Sequence, residues 1–410
     1  MEVIILDGHL KSALAATRSL GKKGVRVICA SERTSAMSLH SNYCAQRFVY
    51  PSPSKDKDAF VDAIIELAKN IGEKPLVYSF SDETFLPLAR QREKINEYVT
   101  FIASQDESID IAFDKIKTLS LAKKLNIPYV ESYMVGSIAD VENVAKGLSY
   151  PAVVKQVSSC IWKDNDGVKG TAEYVFDKDE LLKKVTAIHT NTGKWPLVQK
   201  FIQGGEFGVE MLCKDGEIVA VSSHKRIRSL NPSGGAAVVK ETICGTDIAK
   251  TMEREAAKLL KELRWEGPAM IEFKQDERDG VLKLMEINGR FWGSLPLAIF
   301  AGVDFPYLYY KLARGDLNID ETKKIVCKTN VRSRHLLGDL HNLLIVLFKE
   351  SPVRNILYPK RVEAVKEFFT PHTGQRYDVL NQDDVTPFFM EIIDGIKKKY
   401  NSFQNKPQKK

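Results

Sequence analysis

Three oxygen-bearing side chains set in an apolar hairpin are the strongest chemical signal in the chain. Ala269-Met270-Ile271-Glu272-Phe273 reads as a strand with one acid against its apolar grain. Leu282 to Arg290 (LKLMEINGR) reads as its hairpin partner, across the polar turn Asp276 to Gly280. Glu286 and Asn288 are two apart, so they point to the same face of a strand. With Glu272 from the neighbouring strand they offer three oxygen donors in one patch, a set that suits magnesium alongside phosphate and water. Solvated strand acids with cross-strand partners are the alternative, although unpaired carboxylates in so apolar a hairpin are costly.

Three further segments have the residue types for binding a nucleotide, each with a plainer alternative. Lys155 ends the β-branched run Tyr150 to Lys155, where an ammonium can reach nucleotide phosphates or simply water. Asp164 to Thr171 (DNDGVKGT) interleaves Gly167 and Gly170 with polar residues. Such a run can wrap phosphates with backbone N–H groups, or form an ordinary hairpin turn. In Leu197 to Glu210 (LVQKFIQGGEFGVE) a strand enters a double-glycine turn and a second strand follows. Backbone groups of such a linker can pair with an adenine edge, and an acid just past the turn, Glu206, can accept from ribose hydroxyls. Arg226 and Arg228 alternate with Ile227 and so share one strand face, where they suit a carboxylate or an acyl phosphate, or lie in solvent.

These groups need a scaffold, and the first hundred residues alternate strand and helix. Val3 to Leu6, Val25 to Cys29 and Leu76 to Phe80 read as buried strands, with helices over Lys11 to Leu20 and Ala59 to Ala68. That rhythm predicts a parallel sheet with ligands near its carboxyl edge, at Asp7-Gly8-His9 and Ser79 to Glu83. The first turn, DGHLKSA, lacks the G-x-G-x-x-G pattern, so no NAD or FAD site is expected there, although Glu32 follows the second strand. Further helices are expected over Asp114 to Leu125 and Ile248 to Leu263, with little pattern in the last ninety or so residues.

The bulk numbers exclude more than they identify. A chain of 410 residues suits two or three domains around a cleft. The Val3 to Leu6 run is cut off by Asp7 and Gly8, unlike a signal peptide. The apolar stretches near Leu343 to Phe348 and Leu295 to Tyr310 are too short or too interrupted to span a bilayer. A cytoplasmic protein without a membrane span is expected. The six cysteines are scattered without ligand spacing and read as buried or idle thiols, with neither zinc nor a disulfide expected. The net charge of +7 is mixed along the chain except in the basic run from Lys397 to Lys410, read as a frayed terminus. No nucleic-acid partner is expected.

Taken in order, these segments resemble the ATP-grasp superfamily, which includes D-alanine–D-alanine ligase, biotin carboxylase, the carbamoyl-phosphate synthetase large chain and D-aspartate ligase. The resemblance covers roughly the first three quarters of the chain. Asp114-Lys115 is similar to the family's D-K segment, which makes Lys115 a phosphate contact. Lys155 matches the lysine of the V-V-K-P strand, with Gln156 standing where proline is usual. Gln199, Lys200, Ile202 and Glu206 fall on the hinge that holds adenine and ribose, Gln199 replacing the usual acid. Glu272, Glu286 and Asn288 match the ligands of two magnesium ions, for which manganese can substitute. Arg290 resembles the arginine of the E-x-N-x-R variant. The run Asn288 to Ser294, with Ala301 to Pro306, looks closest to carboxylate–amine ligase-like members near D-aspartate ligase.

The resemblance implies an α/β architecture. An N-terminal parallel domain (1–110) precedes an ATP-grasp domain (111–320), made of a lid lobe (about 127–198) and a catalytic lobe (about 199–320). A C-terminal extension (321–410) follows. It also implies an ADP-forming ligase that activates a small carboxylate or amino acid as an acyl phosphate and transfers it to an amine. Arg290, Arg226 and Arg228 would serve the transferred phosphoryl group or the acid. A bicarbonate-using carboxylase or carbamoyl-phosphate type of enzyme is one alternative, and an ATP-binding protein without turnover is another. Dimers are usual among the proteins it resembles.

Overall fold

The computed structural model describes residues 1–163, 166–170, 172–318, 322–351 and 358–404, with Asp166 and 398–404 by backbone alone. Its first sheet contains β1 (Val3–Ile5), β2 (Val27–Ser31), β3 (Gln46–Val49) and β4 (Leu76–Tyr78), all parallel, in the order β3-β2-β1-β4. Every residue of β1, β2 and β4 is buried, as expected of short apolar runs covered by helices on both faces. Asp7 sits at the carboxyl end of β1, where it accepts from the Phe80 amide (2.9 Å) and the Ser81 (2.9 Å) and Thr84 (2.6 Å) hydroxyls. Its carboxylate ties two strand ends together and is fully engaged there.

A second, antiparallel sheet holds β5 (Ser132–Met134), β6 (Ala152–Lys155), β9 (Glu173–Val175) and β10 (Leu197–Lys200) in the order β5-β10-β6-β9. A hairpin of β7 (Cys160–Lys163) and β8 (Asp166–Lys169) projects between β6 and β9 in sequence. The Ile138–Gly147 and Lys178–Thr192 helices, capped by Ser137 and Asp177, close one face of this sheet. Val141, Val154, Val185 and Val198 meet in a core of their own. This sheet and its helices therefore have a hydrophobic centre of their own.

The third sheet runs β15-β14-β11-β12-β13-β16-β17. Its strands are β11 (Glu206–Lys214), β12 (Glu217–Asn231), β13 (Gly234–Thr242), β14 (Gly267–Gln275), β15 (Leu282–Asn288), β16 (Arg332–Arg334) and β17 (Gln375–Tyr377). The Asp247–Glu262 helix, capped by Thr246, packs Met252, Ala256, Leu259 and Leu260 behind it. The last two strands come from the segment in which the sequence shows little pattern. Both are three residues long, too short for a period-two signal. Next to β17, buried Asp378 accepts from Lys240 (2.5 Å), Lys11 (3.0 Å) and Ser333 (2.6 Å), tying β13, the first helix and the sheet edge together.

One expectation is corrected here. Cys244 and Cys327 form a disulfide with Cα atoms 6.0 Å apart, while Cys29, Cys44, Cys160 and Cys213 are free thiols. The partners lie 83 residues apart with no motif between them, so spacing carried no trace of the bond. Among the described residues no helix is long and apolar enough to cross a membrane.

Removing the Asp378 carboxylate would leave Lys240 buried without its counterion. Asp378→Ala is expected to lower the free energy of unfolding by about 3 kcal/mol, read as a shift of the urea midpoint at unchanged slope.

Candidate active site

The lid sheet and the large sheet face each other across a cleft of 380 Å³. Two chain segments connect them at the cleft mouth: residues 128–131, where Leu284 donates to the Pro128 carbonyl (2.8 Å), and the turn from β10 into β11. Gly204 in this turn has φ +143°, and a Cβ there would lie 1.8 Å from the Gln275 carbonyl oxygen, so no larger residue fits. On the far side, the Tyr174 hydroxyl of β9 donates to the Ser233 carbonyl (2.5 Å) at the tip of the β12–β13 hairpin. The two lobes thus meet at a hinge and at a latch.

At the hinge end the cleft is apolar, lined by Val130, Val153, Phe201, Ile202, Phe273 and Met285. Gln199 is buried with its amide donating to the Ser132 hydroxyl (2.9 Å), and Lys200 pairs with Glu131 (3.1 Å). Deeper in, the walls become charged. Asp114 caps the Lys115–Lys124 helix by accepting from the Ile116 (2.8 Å) and Lys117 (3.1 Å) amides. This sets Lys115 in the first turn, where its ammonium pairs with Glu286 at 3.0 Å. Lys155, at the end of β6, lines the same cavity, and burial first, with Lys115 nearby, lowers its pKa.

Glu272 and Glu286 are direct cross-strand partners of the β14–β15 ladder, and both line the cleft. For Glu286, burial opposes ionisation, but Lys115 and Lys155 outweigh it and hold the carboxyl down to about 2. Glu272 goes the other way, raised by burial and then by the neighbouring Glu286 carboxylate. Asn288 donates to Glu272 at 3.1 Å and accepts from Arg290 at 3.2 Å. Two facing carboxylates with an amide oxygen beside them, one carboxyl raised for want of positive charge, form a donor set that fits a hard divalent cation.

A smaller cavity of 190 Å³ adjoins the first and shares Glu206, Arg226, Ala236 and Glu272 with it. Lys11, His224, Asn288 and Arg290 complete its polar wall. Arg290 is clamped by Asp82 (2.7 Å), the first residue of the Asp82–Arg90 helix in the N-terminal domain. Arg226 bridges the two acids of the shared wall, pairing with Glu206 and lying 3.7 Å from Glu272.

The structure thus brings together Lys115, Lys155, Gly170, Gln199, Lys200, Ile202, Glu206, Arg226, Glu272 and Glu286 in one cleft, with Asn288 and Arg290 next door. Two candidates fall elsewhere. Arg228 does not share the face of Arg226: a bulge in β12 pairs Arg226 with Lys240 but Arg228 with the adjacent Val239. Its guanidinium turns to Asp339, with bonds of 2.8 and 2.9 Å. Gly167 lies in the β7–β8 hairpin, where its amide donates to the Ser54 carbonyl (2.6 Å) of the N-terminal domain. Asp164, Asn165 and Thr171 of the glycine-rich segment lie outside the described residues. Gln156, standing where proline is usual, packs its side chain against Gly170.

Several lining residues had escaped the sequence reading. Phe273 and Lys274 flank Glu272 on β14 and were legible as its neighbours. Gly234 and Gly235 form a visible glycine pair. Asp82 lies in the Ser79 to Glu83 strand end expected at the ligand edge, but its pairing with Arg290, 208 residues away, carried no signal.

The chain is similar in sequence and in fold to several known proteins. A family model described as ATP-grasp in the biosynthetic pathway with Ter operon matches residues 194–336. The carbamoyl phosphate synthase large chain of Archaeoglobus fulgidus is 23% identical over 323 residues, which are 76% of this chain and 28% of that one. This chain therefore spans little more than a quarter of that relative. Among solved structures, the biotin carboxylase domain of Hydrogenobacter thermophilus 2-oxoglutarate carboxylase, in complex with MgADP, ADP and bicarbonate, aligns with TM-score 0.62 and 15% identity. That alignment covers 81% of this chain and 73% of that one. The L-amino acid ligase of Bacillus licheniformis aligns with TM-score 0.58 and 21% identity, covering 80% and 77%. The chain has the ATP-grasp fold, and its residues 194–336 match an ATP-grasp family model.

A carboxyl whose pKa is depressed by folding stabilises the native state above its unfolded value of 4.5 and loses that contribution as the pH falls. The difference in urea stability between nucleotide-free wild type and Glu286→Gln should hold steady from neutral pH to about pH 5, then shrink steadily toward about pH 2.

Proposed function

We propose that the chain is an ATP- and magnesium-dependent ligase that activates a small carboxylate, an amino acid among the candidates, as an acyl phosphate and passes it to an amine. The observation that carries this reading is the facing pair Glu272 and Glu286, walled by Lys115, Lys155, Arg226 and Arg290 where the two cavities meet. The likeness to an L-amino acid ligase supports it at the level of fold.

In this reading adenine lies against the apolar hinge end, near Gln199 to Ile202, and Glu206 accepts from the ribose. Lys115 and Lys155 bind the phosphate chain as point charges. Glu272, Glu286 and Asn288 would hold the magnesium, which would supply charge neutralisation for the phosphates. The acid occupies the smaller cavity with its carboxylate toward Arg226 and Arg290. A carboxylate oxygen bonds to the γ-phosphorus as the bond to the β-phosphate oxygen breaks, releasing ADP. The amine then bonds to the acyl carbon, inorganic phosphate leaves, and the nitrogen gives up its proton. Arg290, fixed by Asp82, is aimed at the charge that develops on the transferred phosphoryl group. Closure of the lid through Tyr174 and Ser233 keeps water from the acyl phosphate.

Bicarbonate as the acid is a second reading, favoured by the likeness to carbamoyl phosphate synthase and by a neighbouring cavity of only 190 Å³. A single assay separates the readings: ADP and phosphate release with magnesium, across amino acids, other small acids, bicarbonate and amines. Release that needs both an acid and an amine is expected. Release driven by bicarbonate alone would favour the second reading, and nucleotide binding without any release would defeat both. Glu286→Gln should lower turnover by a factor of about a hundred or more. Arg290→Lys should lower kcat about tenfold or more with nucleotide affinity unchanged, because lysine lacks the planar fork.

A further inference from the structure

The segment that follows the nucleotide cleft leaves a large share of its apolar side chains in solvent. On the Leu336–Phe348 helix, Leu340, Leu344 and Phe348 recur every four residues and are all exposed, Phe348 by 78%. The Arg361–Phe369 helix buries no residue, and Val362 (80%), Val365 and Phe369 (73%) form one stripe along it. On the Thr386–Gln404 helix, Phe389, Ile393 and Ile396 (64%) do the same. Isolated exposed apolar residues are ordinary, but stripes at helical spacing on three helices of one segment are not.

The charges on these helices are sorted. Many of the acids turn inward and bind the body of the protein. Asp339 holds Arg228 and Arg334, and Glu367 accepts from Arg228 at 3.1 Å. Glu391 pairs with His335 at 2.5 Å, and Asp394 accepts from Arg33 (2.9 Å) and Ser35 (2.8 Å). Lys349, Arg361, Lys366 and Lys397 are exposed, and among the described residues none has an acidic partner. Glu350, Glu363, Glu367 and Asp383 are exposed acids of the region; Glu363 is matched by Lys360 at 3.6 Å, Glu367 by Arg228 at 3.1 Å and Asp383 by Lys22 at 3.8 Å. Residues 397–410 add six lysines and no acid to the same end of the chain.

We propose that these helices dock on an anionic lipid surface, their apolar stripes entering the interfacial layer and the exposed Lys349, Arg361, Lys366 and Lys397 lying against lipid phosphate. Amphipathic helices with basic flanks bind in this manner without crossing the bilayer, and among the described residues no helix is long and apolar enough to cross one. A second copy of the chain is the other cover for apolar stripes. It would bring two basic faces together, whereas anionic lipid neutralises them.

The test is sedimentation of the full chain with vesicles of phosphatidylcholine alone and of phosphatidylcholine mixed with phosphatidylglycerol, beside sizing of the chain without lipid. Binding to the mixed vesicles only, weakened by added salt, is expected. The double variant Val362→Ser, Phe369→Ser lies on a helix that buries nothing, so its thermal unfolding should match wild type while vesicle binding weakens about tenfold or more. Failure to bind the mixed vesicles, equal binding to both kinds, or unaltered binding by the variant would overturn the proposal. So would a stable dimer in solution that the variant dissociates.

Discussion

Two carboxylates held opposite each other on neighbouring strands repel, and the arrangement of the rest of the molecule answers that repulsion. Glu272 and Glu286 face each other in the β14–β15 ladder. Lys115 reaches them from the start of a helix, Lys155 from the lid sheet, Arg226 from β12 and Arg290 from beyond the end of β15. The compensating cations thus come from separate elements, and each must fold into place before the pair is tolerable. The charges act as a register mark for the whole cleft. Burial makes the mark stringent, because a carboxylate removed from water without a partner is costly.

The same geometry explains why the lid lobe has its own core yet is not free. It meets the large sheet at a glycine turn that admits no side chain, at the backbone pairing of residues 128–130 with Leu284, and at the Tyr174–Ser233 bond. It touches the N-terminal domain through the β7–β8 hairpin, where Gly167 donates to Ser54, Trp162 donates to Pro53 (3.2 Å) and Lys169 pairs with Glu83 (2.6 Å). In the proposed ligase reading, polar contacts of this kind would let the lobe open for ATP and close for chemistry.

Local pattern carried much of the fold and the centre of the site. Glu286 and Asn288 were legible because strand periodicity is strict and the surrounding residues are apolar. Lys155 was legible as a charge ending a β-branched run. Lys115 became visible only through resemblance, since a lysine in the first turn of a helix has no signature of its own. Arg228 was misplaced because a bulge in β12 breaks the alternation that would have set it beside Arg226. The Asp82–Arg290 pair and the Cys244–Cys327 disulfide were illegible because each joins partners far along the chain, brought close by packing rather than by spacing.

The edge of the large sheet has a consequence for biosynthesis. Strand β13, which pairs with the strand carrying Arg226, is itself paired on its other side by β16 and then β17. A ribosome releases residues 332–334 and 375–377 long after the rest of that sheet has emerged. Until then β13 is an open edge, with unpaired backbone groups ready to recruit any passing strand. The nascent chain therefore passes through a stretch of translation in which its nucleotide cleft is largely assembled but its flank is unprotected. Chaperone occupancy on the ribosome should be concentrated in that interval rather than during synthesis of the apolar N-terminal sheet.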